Sequence, residues 1–422
     1  MTMTTYEQIQ RLDQNDGLKQ YREEFYFNKD NIYFNGNSLG LMSKRAEASV
    51  MEIMDMWKQY GIDGWMSGTR PWFYITDEIS KLFEPLIGAQ AKNICITGST
   101  TTNIHQMVAT LYEPTPDRYK IIADTLNFPS DIYALQSQLS LKGYPDALIA
   151  IESSDDQTLC TETIIEAMAE DVSLILLPSI LYRSGQILDM ERITKAAHDR
   201  GILVGFDLCH SIGSIPHELE RYDVDFAVWC TYKHLNGGPG SVGGLYIHER
   251  HHHKSPGLAG WFGSDKDKQF DMAHTFTKAE DAKAYQIGTP HLLSLAPIIG
   301  AVQMVNEAGI HNIRAKSLKL TDLLIDLITV HLTSYGFSIT TPIAHNERGG
   351  HVYIEHNDAA RIVKAMKAQG IIPDFRAPRG IRLSPVALYN TYEDVYNAVM
   401  TIKTIMEDEV YKQYSNERDV VA

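Results

Sequence analysis

From about residue 93 onward, short apolar runs alternate with segments of helical spacing. The apolar runs include NICIT, YKIIAD, VSLILLP, ILVGFDL and DFAVWCTY. Helical patterns such as NIHQMVATLY and DMERITKAAHDRG lie between several of them. Such alternation is typical of βαβ units, in which a buried sheet is covered by helices. It predicts an α/β fold with a mainly parallel, mixed sheet flanked by helices.

The pattern changes after Pro290. Two long amphipathic segments, LLSLAPIIGAVQMVNEAG and NIRAKSLKLTDLLIDLITVHL, precede shorter strand patterns and a helical tail. This indicates a second, smaller α/β domain. We therefore predict an N-terminal helical segment that contributes to the small domain (1–60), a large domain (61–290) and a small C-terminal domain (291–422).

Composition narrows the possible partners of this 422-residue chain. Its formal net charge of −15 argues against general binding to nucleic acid or to anionic membranes. The N-terminus lacks the apolar core of a secretory signal, and no apolar run reaches membrane-spanning length. Four scattered cysteines (Cys95, Cys160, Cys209 and Cys230) indicate reduced thiols in a cytoplasmic protein.

Two charged residues follow neighbouring predicted strands. Asp207 ends the apolar run ILVGF, and Lys233 comes 26 residues later, after FAVWCTY. A lysine that binds pyridoxal 5′-phosphate (PLP) needs an acid to keep the pyridine nitrogen protonated. Asp207 is the candidate acid, and His210 could support the cofactor from the same loop. Open α/β sheets bind ligands at the carboxyl ends of their strands, where both residues are expected.

Hydroxyl and aromatic residues complete the candidate site. Thr100 and Thr101 begin a predicted helix and could hold a phosphate, while Phe128 could cover the ring. Ser130 and Asp131 could contact a ligand, but they also fit an ordinary helix N-cap. Phe128 could equally be a core residue and Asp207 a solvated acid. The residues alone leave a PLP enzyme and another kind of α/β enzyme both open.

Two other patterns carry less weight. Residues 238–243, GPGSVG, match the dinucleotide fingerprint, but the expected strand before and helix after are missing. The histidines of HERHHHK (residues 248–254) have no acidic or cysteine companions in a suitable spacing for a metal. We interpret that segment as a solvated loop and predict no metal site.

The segment FDLCHSIG together with VDFAVWCTYKHLNGGPGSVGGLYIHERH closely resembles the cofactor segment of kynureninases, which have the aspartate-aminotransferase fold (fold type I). The likeness extends over nearly the whole chain through YFNGNSLG, GTRPWF, NFPSD, GLAGWFG and IRLSPVALYNTYEDVY. Asn37 and Ser38 belong to the first of these motifs, without an assigned role.

The resemblance implies a role for each matching residue. Lys233 would form the Schiff base with PLP and move the substrate α-proton, Asp207 would pair with the pyridinium, and Tyr232 would donate a proton. The implied cofactor-binding residues are Thr100, Thr101, Phe128, Pro129, Ser130, Asp131, Asp207, His210, Tyr232, Lys233, Trp261 and Thr289. Trp261 and Thr289 would come from the partner subunit of a homodimer whose active site is shared.

The resemblance also implies the substrate. Arg382 would bind the α-carboxylate of an amino acid, and Trp65 would face its aromatic ring or else be a core aromatic. The implied activity is hydrolysis of L-kynurenine, and potentially of 3-hydroxy-L-kynurenine, to anthranilate or 3-hydroxyanthranilate and L-alanine. Trp65, Gly288 and Thr289 match the kynurenine-preferring kind. Such an activity belongs to tryptophan catabolism or NAD biosynthesis.

Three alternative functions differ in the residues that they require. A cysteine desulfurase needs a nucleophilic cysteine downstream of the lysine, whereas the last cysteine here precedes Lys233. An aminotransferase of the same fold stays open as the alternative. A non-catalytic binding protein is disfavoured by the intact Lys233 and Asp207.

Overall fold

The computed structural model describes residues 6–28 and 30–419, and three sheets organise this part of the chain. The strands, in chain order, are β1 (Ile32–Tyr33), β2 (Ile94–Ile96), β3 (Lys120–Asp124), β4 (Leu148–Ile151), β5 (Val172–Pro178), β6 (Leu203–Asp207), β7 (Phe226–Trp229), β8 (Gly244–Ile247), β9 (Ser338–Ile339), β10 (Val352–Glu355), β11 (Ile371–Ile372), β12 (Asp374–Arg376) and β13 (Gly380–Leu383).

The central sheet has seven strands in the order β2-β8-β7-β6-β5-β3-β4. Strands β3 to β7 run parallel, whereas β8 is antiparallel to both β7 and β2. Along β5, Ile175 and Leu177 pack into one core, while Leu174 and Leu176 pack into a second core on the opposite face. Because side chains alternate along a strand, both faces of the sheet are covered. The predicted mainly parallel, mixed sheet is confirmed.

Helices cover the faces of these sheets. They are α1 (Tyr6–Gln14), α2 (Lys44–Tyr60), α3 (Ile75–Ile87), α4 (Thr100–Leu111), α5 (Pro129–Leu141), α6 (Thr161–Glu166), α7 (Met190–His198), α8 (Leu292–Ala308), α9 (Ile310–His331), α10 (Ala359–Ala368) and α11 (Tyr392–Glu407). No single helix among the described residues is long and apolar enough to cross a membrane. Helices α8 and α9 reach that length and apolar composition only when taken together, and the chain bends by 77° between them.

A smaller four-stranded antiparallel sheet, β12-β13-β10-β9, packs with α9, α10 and α11 around a core of its own. Ile9 of α1 and Phe34 after β1 belong to this core, whereas Ile53 of α2 packs with α8 in the core of the central sheet. Helices α2 and α8, on the outer sides of the predicted boundaries at residues 60 and 290, therefore share the core of the central sheet. The two domain boundaries stay predictions.

The parallel strands place the chemically interesting loops together. Because β3, β5, β6 and β7 are parallel, their carboxyl ends meet at one edge of the sheet. Asp207 is the last residue of β6, and Lys233 follows the end of β7 by four residues. Phe128 immediately precedes α5 at the same edge of the sheet. The first residue of α5 is Pro129, whose fixed φ suits the start of a helix.

Candidate active site

Lys233 lies in the loop after β7, where several contacts fix the backbone. Asn236 N donates to Lys233 O at 3.0 Å, and Gly40 N donates to Tyr232 O at 2.8 Å. Asn236 has a φ of 56°, in the left-handed region that asparagine tolerates better than most residues. A Cβ at position 40 would lie 2.4 Å from Lys233 O, so only glycine permits this close approach. The loop holds Lys233 half-buried at the edge of the sheet.

The amino group of Lys233 contacts His210. Lys233 Nζ lies 2.9 Å from His210 Nε2. Burial, and then the charge of Lys233, lower the pKa of His210 well below its ordinary value. A neutral imidazole accepts at Nε2 and carries its proton on Nδ1. Nδ1 is buried and has no hydrogen-bond partner among the described residues, so a donor is left available inside the site.

Two buried carboxyl groups, those of Asp131 and Asp207, lie near Lys233 and His210 and line a cavity with them. Asp207 Oδ1 accepts from Cys209 N at 2.8 Å. Burial raises the pKa of both carboxyl groups, and Lys233 opposes the rise at both; the neighbouring Asp207 raises the pKa of Asp131 further. Asp131 therefore takes up a proton more readily than Asp207. The negative charge is concentrated on Asp207.

A cavity of about 80 Å³ lies between these groups. It is lined by the predicted residues Thr100, Thr101, Phe128, Ser130, Asp131, Asp207, His210, Tyr232 and Lys233. Five further residues line it: Asn127, Pro178, Ile180, Tyr182 and Cys209. A larger cavity of about 500 Å³ adjoins it, shares Tyr232 and contains Thr289.

The cavity has an aromatic wall and a hydroxyl wall. Phe128 is 43% exposed, and its ring meets that of Tyr182 edge to face at 5.5 Å. The hydroxyl groups of Thr101 and Ser130 are hydrogen-bonded to each other at the starts of α4 and α5. Burial, followed by the nearby thiols, raises the pKa of Tyr232, so its hydroxyl group keeps its proton at neutral pH.

Arg382 lies beside this site on β13 and is fully buried. It pairs with Asp374 on the adjacent strand β12, donates to Tyr182 O at 2.6 Å and donates to Ser38 Oγ at 2.9 Å. Asn37, next to Ser38, is also fully buried, and neither polar atom of its side chain has a partner among the described residues. The YFNGNSLG motif thus reaches the predicted carboxylate-binding arginine.

Comparison with known proteins identifies the family. Kynureninases from Bacillus anthracis, Shouchella clausii and Geobacillus thermodenitrificans are 58%, 57% and 56% identical to this chain, each over 99% of it and 98% of their own length. The chain belongs to the kynureninase family. A family model, the kynureninase C-terminal domain, matches residues 313–402.

Solved structures support the fold alone. An apo cysteine desulfurase from Thermococcus onnurineus has a TM-score of 0.76 at 19% identity, covering 92% of this chain and 98% of its own. A C-DES mutant with glycine covalently linked to its PLP cofactor has a TM-score of 0.79 at 18% identity, covering 90% and 98%. Both the family and the fold type expected from the sequence are confirmed.

Three predicted site residues lie away from Lys233 within the chain. Trp65 packs against Trp72 and Phe262, with ring centroids 5.7 and 6.0 Å away. Trp261 is 45% exposed and donates through Nε1 to Gln269 O at 3.1 Å. Thr289 lies in the larger cavity with Gly288. Within one chain the small cavity is therefore without these three side chains.

The prediction of a solvated histidine loop is wrong for part of HERHHHK. His251 is buried, with Nε2 at 2.7 Å from Asp225 Oδ1, and His248 Nε2 lies 3.4 Å from Asp223. The other oxygen of Asp225, Oδ2, lies 2.8 Å from Nε2 of His198. The acidic companions lie more than twenty residues earlier in the sequence. Within residues 6–28 and 30–419, no three His, Cys, Asp or Glu side chains are placed to hold a metal ion together.

Sequence reasoning missed two residues, Asp374 and Tyr182. Asp374 contacts Arg382 because β12 pairs with β13 in antiparallel register. The signal available in the sequence was a buried arginine, which needs an acidic partner. Tyr182 reaches the cavity from an irregular loop after β5, for which the sequence carries no periodic signal.

Proposed function

We propose that the protein hydrolyses L-kynurenine to anthranilate and L-alanine, with PLP bound through Lys233. The observation that carries this proposal is the small cavity in which Lys233, Asp207 and Phe128 converge in a chain of the kynureninase family. An amine, a buried acid and a flat apolar face are the groups that a pyridine aldehyde requires.

Features of the cavity fit this cofactor. Phe128 leaves much of its ring uncovered, so a second ring can pack on it. The carboxylate of Asp207 would pair with a pyridinium nitrogen, which offsets the cost of burying that carboxylate. The hydroxyl groups of Thr100, Thr101 and Ser130 lie at two helix N-termini, which attract phosphate groups. Pro129 fixes the start of the second helix. Asp131 and the Nδ1 donor of His210 would also lie beside the bound cofactor, because both residues line the cavity.

When bound, PLP would supply an electron sink for the substrate. Water would add to the side-chain ketone, the bond from that carbon to Cβ would break, and the ketone carbon would leave as the carboxyl group of anthranilate. The residues of this chain supply the proton transfers. Lys233 Nζ would remove the α-proton, since it lies beside the neutral acceptor His210. Tyr232 keeps its hydroxyl proton at neutral pH and would donate it to Cβ as the bond breaks. Asp207 would stabilise the positive charge on the cofactor nitrogen throughout.

We further propose a homodimer with shared active sites. Apolar side chains such as Trp57 (61% exposed) and Leu293 line one surface cavity with Pro290 and His291, directly after Thr289. A second copy could cover this surface, because large exposed apolar residues are enriched in interfaces. Trp261 and Thr289 would then reach the partner's cofactor, which accounts for their distance from Lys233 within one chain.

Substrate preference and compartment complete the proposal. Trp65, Gly288 and Thr289 support a preference for kynurenine over its 3-hydroxy form, with Trp65 beside the substrate ring. Arg382 would bind the α-carboxylate. The four cysteines are free thiols, which suits a reducing compartment, and we propose the cytoplasm.

Fluorescence of anthranilate tests the proposal. Purified protein loaded with PLP should release anthranilate from L-kynurenine, and Lys233→Ala should abolish release. Lys254→Ala is the matched control, because Lys254 pairs with Glu113 outside the cavity, and it should retain full activity. Release that is unchanged in Lys233→Ala contradicts the proposed role. Protein that binds PLP but converts kynurenine by amino transfer, without anthranilate, contradicts the proposed reaction.

A further inference from the structure

The hydrogen-bonding capacity of Arg382 is almost fully used within the protein. A guanidinium group has five N–H donors. Nε and Nη2 both donate to Asp374 Oδ2, Nη2 also donates to Ser38 Oγ, and Nη1 donates to Tyr182 O. A single N–H on Nη1 is left for a ligand. A two-point contact with a carboxylate needs two parallel N–H groups, which Arg382 cannot offer while these bonds hold.

A second arginine is bound to the same carboxylate oxygen and has donors to spare. Arg376 Nε donates to Asp374 Oδ2 at 3.0 Å. Among the described residues, no acceptor is found for its two terminal nitrogens, and its side chain is 30% exposed. Its Cζ lies 5.8 Å from the ring centroid of Tyr182, which lines the Lys233 cavity. Arg376 therefore lies next to Tyr182 at the Lys233 cavity, with two terminal nitrogens that have no acceptor among the described residues.

The charges of this cluster favour one anionic ligand. Asp374 and Arg382 have side chains only 2% and 1% exposed, and Arg376 adds a second cation against the same carboxylate. Two arginines and one aspartate leave one positive charge uncompensated beside Tyr182, which lines the cavity. A buried or half-buried charge is costly without a counter-charge. A single substrate carboxylate would neutralise the cluster.

We infer that Arg376 is a substrate-binding residue that shares the α-carboxylate with Arg382. A terminal nitrogen of Arg376 donates to one carboxylate oxygen, and the remaining Nη1 proton of Arg382 donates to the other. Asp374 is the positioning residue that holds both guanidinium groups through Oδ2. The inference rests on the proposed function, since it takes an α-amino acid as the ligand.

Arg376→Gln in the PLP-loaded enzyme tests this inference, with Arg376→Lys as a second variant and Arg379→Gln as the matched control. Arg379 lies on the same hairpin but pairs with Glu355. In Arg376→Gln, KM for L-kynurenine should rise about tenfold or more, with kcat changed less than about threefold, because one charge-assisted hydrogen bond is lost. Arg376→Lys should recover part of this loss, and Arg379→Gln should behave as wild type.

A binding measurement separates a carboxylate contact from a general structural effect. Titration of the cofactor absorbance with L-alanine should show weakened binding in Arg376→Gln, whereas ethylamine, which lacks the carboxylate, should bind as in wild type. Equal weakening for both ligands, or no change for either, overturns the inference. If the wild type does not cleave kynurenine, the proposed function fails, but the alanine and ethylamine titrations still decide the role of Arg376.

Discussion

Lys233 Nζ lies 2.9 Å from Nε2 of His210, and the two residues follow the ends of neighbouring parallel strands. Burial keeps the imidazole neutral, so it accepts a hydrogen bond from the lysine amine instead of repelling it as a second cation. This contact fixes the direction of the amine within the cavity. The neutral His210 therefore suits the roles proposed for Lys233, whose amine must form a covalent bond with an aldehyde and later move a proton.

Replacement of His210 should weaken cofactor binding. His210→Leu removes the acceptor for Lys233 and the unpartnered Nδ1 donor, and the loss of a buried hydrogen bond costs about 1 kcal/mol. The affinity for PLP should therefore fall roughly fivefold, as measured by absorbance titration of the apoprotein. His217→Leu serves as the control, because His217 is also buried but bonds to Ser211. Equal losses of affinity in both variants would contradict a specific role for His210.

Asp124, at the end of β3, should make stability fall as the pH rises. Burial raises the pKa of Asp124 to about 7, against an ordinary value near 4. The folded protein thus retains this proton between about pH 4 and 7, where the unfolded chain has lost it, so folding is penalised increasingly with pH. Asp124→Asn removes the penalty, which amounts to about 4 kcal/mol at pH 7.

Urea unfolding of the apoprotein at pH 5 and pH 7 measures this effect. The free energy of unfolding of Asp124→Asn relative to wild type should increase with pH. Asp146→Asn, a change at an exposed position, should leave the pH dependence as in wild type. A relative stability of Asp124→Asn that is the same at both pH values would show that Asp124 is ionised in the folded state.

Asp225 should have the opposite pH dependence. Burial alone would raise its pKa, but hydrogen bonds from His198, from His251 and from Val204 N outweigh burial and lower the pKa. Its contribution is present above an ordinary pKa near 4 and is lost as the pH falls through the lower folded value. Asp225→Asn should cost about 3 kcal/mol near pH 7, since it removes the charge from a buried ion pair.

The same urea series should show that this cost shrinks below about pH 4. Asp223→Asn is the control, because Asp223 contacts His198 and His248 from a half-exposed position and should cost less than about 1 kcal/mol. If Asp225→Asn cost as little as Asp223→Asn, the contacts of Asp225 with His198, with His251 after β8 and with Val204 of β6 would not stabilise the fold.

The edge of the central sheet could be predicted from the sequence because its signals are local. A continuous apolar run that ends in Asp207 or leads into Lys233 predicts both the strand and the polar group at its end. The contacts of Asp374 with Arg382 and of Asp225 with His251 depend instead on strand register and on loop packing over long sequence separations. Sequence neighbours alone therefore do not show that Asp225 is the partner of His251 or that Asp374 is the partner of Arg382.

The proposed dimer predicts a strong effect at an exposed tryptophan. Trp57→Glu places a charge on the apolar surface next to Leu293 and should shift the protein from dimer to monomer in sedimentation analysis. Ile343→Glu is the control, because Ile343 is similarly exposed but does not line this surface cavity. A monomeric wild type, or a dimer unaffected by Trp57→Glu, would exclude this surface as the interface.

Subunit complementation would show which subunit supplies Trp261. Lys233→Ala and Trp261→Ala should each have little activity alone. In their mixed dimer, one site takes Lys233 from one subunit and Trp261 from the other, so both are intact there. With half of the dimers mixed and one of two sites restored, activity should recover to about a quarter of wild type. Lys233→Ala mixed with Asp207→Asn should recover nothing, because both residues line the same subunit's cavity. Failure of the first pair to recover, in dimers that do exchange subunits, would place Trp261 in the site of its own chain.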